Sequence, residues 1–215
     1  MANEKQTYQY KSEDSILSGL TDDYTLSIVE VYRLYTFYVT YSMCGSQSMK
    51  KRSIADYGWT IIPALKKKNQ VNPTLSNTGL DTELKKVLDL ESASFVFTDK
   101  NDLKKRFDDN NLSDGSLTNY DTERCVIGKT TQEGNKYTKL FYRIRNGFAH
   151  GRFALKYDSN HIKMVVIQDW DTKNVTGRIV LKLQTLLDFI ETVDRNNIIL
   201  TLDNVEAEEQ VPVGV

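Results

Sequence analysis

The sequence is poor in cysteine, with only Cys44 and Cys125 among its 215 residues. The two lie far apart, and neither belongs to a Cys-x-x-Cys pair or to a cluster of cysteine and histidine. This spacing argues against a disulfide framework and against a zinc site. We therefore expect neither a metal nor a cofactor, in a chain suited to the reducing cytoplasm.

Two further patterns are missing, that of a signal peptide and that of a membrane span. Residues 1–14 are polar and acidic, without the basic start and apolar run of a signal peptide. The most apolar stretch, residues 24–44, is long enough to cross a bilayer but carries Glu30, Arg33 and many hydroxyl groups. Such a composition favours a buried helix over a membrane helix. We expect a cytoplasmic protein that does not contact membrane.

Neither sign of charge predominates, because 28 basic and 29 acidic residues give a net charge of −1. The chain therefore lacks the overall basic character of many nucleic-acid-binding proteins, and any RNA contact requires a local patch. Three short basic clusters occur, at 50–52, 66–68 and 104–106. They indicate solvated faces, and a path for RNA is the alternative.

The length fits a single domain covering residues 1–215. Residues 1–20 are polar and end in Ser18-Gly19, and residues 204–215 carry three glutamates and Pro212. Both segments predict flexible tails around a folded part of about 20–203. No internal repeat or low-complexity block divides the chain.

The first folded segment, residues 24–44, contains neither glycine nor proline and predicts a central buried helix. Asp22 or Asp23 would cap its start. In the basic segment 48–68 that follows, Pro63 interrupts or begins a helix.

Further segments are assigned by periodicity and by turn residues. Three of them favour helices: 80–88, 99–109 and 183–193. Residues 95–97 are short and ambiguous, and the Asn, Ser, Asp and Gly content of 110–119 predicts a loop.

Beyond Gly151 the pattern changes from helical to extended. Residues 153–157 and 161–170 predict a β-hairpin around a turn at 158–160. A second turn at 171–174 leads into an extended segment, 175–183. The sequence therefore predicts three short antiparallel strands between two helices.

The helix before these strands carries the most informative motif. Its apolar residues follow at offsets of three, four, three and four, which is the core stripe of an amphipathic helix: Tyr137, Leu140, Phe141, Ile144 and Phe148. Arg143, Arg145 and Asn146 lie off this stripe. His150 stands four residues after Asn146, so the two share a helix face if the helix persists.

Arginine, asparagine and histidine together suit cleavage of RNA. Histidine transfers protons near neutral pH, and arginine offers a permanently charged planar fork that matches a phosphate. Asn146 is placed to hydrogen-bond either the imidazole or the phosphate. Gly147, Ala149 and Gly151 keep the surroundings of His150 free of bulk, so that a backbone or a second subunit can approach.

The spacing of Arg145 and His150 alone is weak, because an arginine five residues before a histidine has a chance expectation on the order of one in ten in such a chain. The whole string from Leu140 to Gly151, LFYRIRNGFAHG, resembles the signature of the HEPN superfamily. In that signature an arginine, a polar residue, three further residues and a histidine follow an apolar stripe. The strands and terminal helix after His150 are similar to plasmid- and phage-associated branches of the superfamily.

The resemblance implies a mainly α fold: a HEPN-like helical bundle, with a small antiparallel β-hairpin or meander inserted before the last helix. It also implies a homodimer that brings two motifs together and cleaves RNA without metal, in toxin–antitoxin or anti-phage defence. An antitoxin or another defence-system protein would then be a partner.

By position, the resemblance assigns catalysis to Arg145 and His150, with Asn146 in support. Arg143 and Arg152 are candidates for RNA binding. Arg152 occupies the position where some HEPN toxins carry a tyrosine that a partner nucleotidyltransferase modifies, so we do not expect regulation by that route.

Other interpretations of these residues remain open. Arg145 would serve a structural role if it paired with an acid, and His150 would do so if it capped the helix end. A HEPN fold retained only for binding RNA or protein is the alternative function. Gly128-Lys129-Thr130 predicts a turn rather than a phosphate-binding loop, since Glu123 stands where the first glycine should be. His161 has no metal-ligand partner and is expected to be structural.

Overall fold

The computed structural model describes residues 15–43, 52–59, 79–88, 94–113, 117–128, 136–171 and 174–199. These residues form five α-helices: α1 Ile28–Leu34, α2 Leu80–Leu88, α3 Leu103–Asp109, α4 Lys136–Ala149 and α5 Leu183–Val193. They also form five strands: β1 Phe95–Thr98, β2 Arg124–Gly128, β3 Phe153–Tyr157, β4 Lys163–Trp170 and β5 Val175–Lys182. Helix α1 continues into a π-helical segment, Tyr35–Thr40, and a 3-10 turn, Lys100–Asp102, precedes α3.

All five strands belong to one mixed sheet in the order β1-β2-β5-β4-β3. Strand β1 pairs with β2 in parallel, whereas the other neighbours are antiparallel. The mainly α prediction is therefore wrong: a central sheet, rather than a helical bundle with an inserted hairpin, organises the described part of the chain.

The prediction failed at β1 and β2, which extend the expected three-stranded meander into a full sheet. All five residues of β2 are buried, because β2 lies between two strands and is covered on both faces. Burial on both faces removes the alternation of apolar and polar residues by which a strand is recognised. The ambiguous residues 95–97 belong to β1, the parallel neighbour of β2.

Helices cover both faces of the sheet. One face, which includes Cys125, Ile167 and Ile179, packs against α1, α2, α4 and α5. The other face packs against α3 and the segment around Ile16. Burial raises the pKa of the Cys125 thiol well above its usual value, as expected for a group between these layers.

The predicted helix over 24–44 begins later than expected, at Ile28, and the prediction that it is buried is wrong for α1, where Ile28 is 83 % exposed and only Leu34 is buried. Ser27 caps it through a capping box with Glu30, in which each side chain bonds the other residue's backbone N–H. The prediction that Asp22 or Asp23 caps this helix is wrong. Both carboxylates instead accept backbone N–H groups of β3, the edge strand of the sheet.

The helices predicted over 80–88, 99–109 and 183–193 are confirmed as α2, α3 with its preceding turn, and α5. The hairpin and third strand after Gly151 are confirmed as β3, β4 and β5. Within 48–68, the described residues 52–59 form turns, whereas Pro63 lies outside the described residues. Residues 1–14 and 204–215, the bulk of the two predicted tails, and Cys44 lie outside them as well. None of the helices in the described ranges is both long and apolar enough to cross a membrane.

Candidate functional site

Helix α4 crosses the sheet from β1 to β3 and carries the predicted motif. At its start Tyr137 packs against Phe95 of β1, with ring centroids 5.6 Å apart. Near its end Phe148 packs against Phe153 of β3, at 5.1 Å. The predicted apolar stripe is confirmed, since all five of its residues are buried. The stripe fixes the rotation of α4 and thereby the positions of the residues off it.

Gly147 sets the closest approach of α4 to the sheet. A Cβ atom built at this position would stand 2.4 Å from Cγ2 of Ile167 in β4, a distance that carbon atoms do not reach. Because Gly147 has no side chain, α4 can lie this close to the sheet. We expected the small residues near His150 to admit a close neighbour, and at Gly147 that neighbour is the side chain of Ile167 in β4.

Helix α4 ends immediately before the histidine of the motif. The backbone N–H of His150 still bonds the carbonyl of Asn146, at 3.1 Å. Gly151 then adopts φ +62°, and the N–H of Arg152 bonds the carbonyl of Gly147 at 2.8 Å. A residue with positive φ just past a helix end is a common C-terminal cap, and glycine adopts this conformation without strain.

Arg145 and Asn146 are buried in the last turns of α4, being 9 % and 8 % exposed. The guanidinium Nη1 of Arg145 donates to Asn146 Oδ1 at 3.0 Å. None of the described carboxylates pairs with Arg145, and its buried Nε has no hydrogen-bond partner among the described residues. His150, by contrast, is exposed, and no described residue hydrogen-bonds its imidazole. The motif thus combines a buried cation with an exposed imidazole.

Arg143 is 3 % exposed and forms a buried ion pair with Asp169 of β4. Its Nη1 donates to Asp169 Oδ2 at 2.7 Å, and the hydroxyl of Thr176 in β5 donates to the same oxygen at 2.9 Å. Nε and Nη2 of Arg143 are buried without a partner among the described residues. Its predicted contact with RNA stays a prediction.

Arg152 lies two residues after His150 and is better exposed than Arg143. Its guanidinium stacks on the ring of Trp170, with Cζ 3.6 Å from the ring centroid, and Nη1 donates to the Trp170 carbonyl at 3.2 Å. Nη1 also lies 3.8 Å from Asp169 Oδ1. A cation on the face of a tryptophan is stabilised by the electrons of the ring. The predicted RNA contact of Arg152 also stays a prediction.

The sequence analysis missed Asp169, Thr176 and Trp170. A signal for Asp169 was present, because it continues the alternate positions of Val165 and Ile167, which face the helix layer. A carboxylate at a core-facing position requires a partner, and an arginine on the covering helix is the natural one.

Residues 54–201 match the family model described as HEPN pEK499 p136. The match spans more than half of the chain and includes α2 to α5 and the whole motif. The chain belongs to this HEPN family. Neither the curated proteins nor the solved structures include one that matches the chain. Membership of the HEPN family indicates a nuclease, RNA-related or defence role.

Three other regions of the HEPN chain were candidates for function. His161 lies in the turn before β4, with φ +65° and its ring stacked on Tyr157 at 4.3 Å, so the prediction that it opens a strand is wrong. Gly128 ends β2, and residues 129–130 lie outside the described ones. Within the described ranges there is no group of three or more His, Cys, Asp or Glu residues that would hold a metal ion.

The basic clusters and a cleft beside α3 lie apart from the motif. Lys104, Lys105 and Arg106 are exposed on α3, Arg52 stacks on the ring of Tyr41, and the other clustered lysines, at 50–51 and 66–68, lie outside the described residues. A cleft of about 760 Å³ opens between the end of α3 and the starts of β1 and β2, and its lining includes no motif residue. In this HEPN chain the motif thus occupies the corner between α4 and β3 rather than that cleft.

Proposed function

We propose that this protein is a metal-independent endoribonuclease whose catalytic residues are Arg145, Asn146 and His150. Arg145 holds the phosphate and stabilises the charge that develops on it, His150 transfers a proton, and Asn146 orients Arg145. The biological setting that the HEPN resemblance implies is toxin–antitoxin or anti-phage defence in the cytoplasm. A cognate antitoxin or another defence-system protein would then keep the enzyme silent.

The burial of Arg145 without an acidic partner is the observation that carries this proposal. Among the described residues Arg145 donates to one neutral acceptor, whereas Arg143 pairs with the carboxylate of Asp169 and Arg178 donates to two acceptors, Gln168 and the carbonyl of Leu112. Arg124 likewise donates to backbone carbonyls. An uncompensated buried cation is costly, and a phosphate supplies the missing negative charge in the geometry that a guanidinium matches best.

The two structural interpretations of the motif account for less of this geometry. Arg145 forms no ion pair with a carboxylate of the described residues, although an acidic neighbour is what a structural arginine would require. The helix end is capped through the backbone of Gly151 and Arg152, so the His150 imidazole is not needed for that purpose. Both side chains are therefore left for a ligand.

Each chain offers a single histidine at the motif, which supports a composite site between two copies. Cleavage of RNA through its 2′-hydroxyl needs one group to remove a proton and another to return one. His161 cannot be the second group within one chain, because it lies beyond the far end of β3, five residues or roughly 16 Å from the α4 corner. A homodimer related by a two-fold axis would supply two equivalent His150 side chains.

The test is an RNA cleavage assay on the purified chain in the presence of a metal chelator. The parent and the variant His161→Ala should cleave RNA and leave a 2′,3′-cyclic phosphate, whereas His150→Ala should lose cleavage with its fold intact. The two variants are matched, since each removes one of the two histidines of the chain. Equal cleavage by His150→Ala and the parent would refute the mechanism.

The same assay separates the alternative, a non-catalytic HEPN protein that binds RNA or a partner protein. RNA binding by the parent that weakens in Arg145→Met, without cleavage under any condition, would favour that alternative. Toxicity on expression that is lost in Arg145→Met would instead identify a toxin held silent by a partner.

A further inference from the structure

One carboxylate contacts arginines on both sides of the motif. Asp169 lies at the end of β4 and is fully buried. Its Oδ2 accepts a hydrogen bond from Arg143, which precedes His150 by two helical turns, and its Oδ1 lies 3.8 Å from Arg152, which follows His150. The buried side chain of Asp169 thus joins α4 to the link that leads from His150 into β3.

An irregularity in the sheet makes this double contact possible. The register between β4 and β5 shifts between Asp169 and Trp170, so Asp169 opposes Gly177 and Trp170 opposes Val175. In a regular strand two successive side chains point to opposite faces. Here the successive side chains of Asp169 and Trp170 both contact Arg152, which stacks on Trp170 and lies near Asp169. Bulges of this kind re-aim side chains and are frequent beside active sites.

Stability alone does not explain the Asp169 cluster. Nε and Nη2 of Arg143 and Oδ1 of Asp169 are buried without a hydrogen-bond partner among the described residues. Each such atom lowers the stability of the fold, because it has lost its bond to water and gained no other. A buried ion pair stabilises a fold only when its geometry is good and its remaining donors and acceptors are satisfied. The pair fixes two arginines in place but is an inefficient way to hold the fold together.

The link between α4 and β3 is short and is held at both ends on strand β4. On the helix side, Gly147 packs against Ile167 and Arg143 binds Asp169. On the strand side, the carbonyl of Arg152 accepts the N–H of Gln168 at 3.2 Å. His150 and Gly151 lie between these anchors. The arginine contacts of Asp169 therefore reinforce both ends of the segment that carries the motif histidine.

We propose that Asp169 is a positioning residue, which fixes the corner at residues 150–152 through Arg143 and Arg152. Its effect on cleavage rests on the proposed ribonuclease function, whereas its effect on the corner does not. Without the Asp169 charge, Arg152 keeps only its stacking and its bond to the Trp170 carbonyl, and Arg143 becomes a buried cation without a counter-ion. The corner then samples more conformations and the backbone of His150 loses its fixed position.

Amide hydrogen exchange measures the corner without any assay of activity. In Asp169→Asn, the amides of His150, Arg152 and Gln168 should exchange at least about tenfold faster than in the parent, because local opening becomes easier. The amide of Asp194, which bonds the carbonyl of Ile190 at the end of α5, should exchange at the parent's rate. Equal acceleration at all four amides would indicate a general loss of stability and would overturn the positioning role.

RNA cleavage supplies the second readout. A misdirected His150 should lower kcat by about a hundredfold while KM stays within about twofold, because Arg145 still holds the phosphate. Asp171→Asn is the matched control: Asp171 lies two residues further along and pairs with Lys100 in a partly exposed ion pair. It should show the kcat and the corner exchange of the parent.

If Asp169→Asn does not fold, the double variant Arg143→Met with Asp169→Leu is used instead. It removes both charges of the ion pair, so that neither remains buried without its partner. It should fold and show the same fast exchange at the corner. Slow, parent-like exchange at His150 and Arg152 in a folded Asp169 variant would overturn the proposal. Fast exchange at His150 and Arg152 in an Asp169 variant, found together with no RNA cleavage by the parent, would support the positioning role and refute the ribonuclease function.

Discussion

Arg145 donates its hydrogen bond to Asn146, its neighbour in the chain and a member of the same motif, at 3.0 Å. An arginine that is only 9 % exposed usually faces a carboxylate, yet the described residues offer Arg145 none. The amide of Asn146 orients the guanidinium but cannot neutralise it. The charge therefore remains available to an anionic ligand.

Removal of the Arg145 charge should separate activity from stability. In Arg145→Met, RNA cleavage should fall by at least about a hundredfold, because a charge that stabilises the transition state is lost. The free energy of unfolding should stay equal or rise, because an uncompensated buried cation disappears. Cleavage kinetics and urea unfolding check the two effects.

Arg178→Met is the control for this comparison. Arg178 is buried more deeply than Arg145 and donates to Gln168 and to the carbonyl of Leu112. Its loss should lower the free energy of unfolding by about 2 kcal/mol, since these acceptors remain without their donor. A larger loss of stability in Arg145→Met than in Arg178→Met would show that Arg145 is a structural residue.

The contact between Gly147 and Ile167 predicts a clash that a second substitution relieves. Gly147→Ala should lower the free energy of unfolding by about 2 kcal/mol, because α4 must move away from β4. Ile167→Ala should lower it by about 3 kcal/mol through the cavity that it leaves. The double variant should lose at least about 1 kcal/mol less than the sum of the two, because the new methyl group fills that cavity.

Gly151→Ala provides the comparison for the Gly147 pair. A Cβ atom there meets no other atom, so the expected cost is about 1 kcal/mol from its positive φ alone. Urea unfolding of the four variants and the parent gives all these values. Additive losses for Gly147→Ala and Ile167→Ala would contradict the close approach of α4 to β4.

The stability of the protein at alkaline pH should depend on Tyr137. Burial, reinforced by the charge of Asp81, raises the pKa of Tyr137 from its usual 10.0 to about 12. The fold therefore favours the neutral phenol. This contribution to stability is fully present below about pH 10 and is lost as the pH rises through about 12.

Tyr137→Phe should accordingly show a shallower fall of the unfolding free energy between about pH 10 and 12 than the parent. Urea unfolding at a series of pH values gives the two slopes. Identical slopes would mean that Tyr137 titrates alike in the folded and the unfolded chain.

Local periodicity was sufficient for the elements that have one polar and one apolar side. Helix α4 was predicted because its apolar residues repeat at helical spacing from Tyr137 to Phe148, although Arg143 and Gly147, off this stripe, also pack on the sheet. The β3–β4 hairpin and β5 were also predicted, since turn residues separate them. The correct start of α1 was missed because two candidate caps precede Ser27, and both are used to cover the sheet edge.

The central position of β2 could not be predicted from its sequence. Its neighbours β1 and β5 are distant along the chain, and its residues are apolar on both faces, so no periodic pattern marks it. If β2 is not recognised, the sequence indicates that β3, β4 and β5 are a small sheet added to a helical domain. With β2 and β1 they become three of the five strands of a sheet on which the helices pack.

At the candidate site, the spacing of Arg145, Asn146 and His150 directed attention to the corner between α4 and β3, and both the site and the chemical roles of these residues remain predictions. The burial of Arg145 and the exposure of His150 are tertiary properties that the spacing does not contain. Asp169 was overlooked because its partner Arg143 is 26 residues away, on a different element. The only sign of it in the sequence was that Asp169 continues the alternate, core-facing positions of Val165 and Ile167 in β4.

The order of strands in the sheet has a consequence for how the molecule folds. Strands β3, β4 and β5 are joined by short turns and can pair early. Strand β2 pairs with β5, with Cys125 opposite Ile179, although about fifty residues that include α4, β3 and β4 separate the two strands in sequence. Until β4 is in place, α4 has no surface for Gly147 and Arg143 to pack on. The motif helix is thus synthesised before the strand that orients it. Its arginine and histidine acquire their geometry only late in folding.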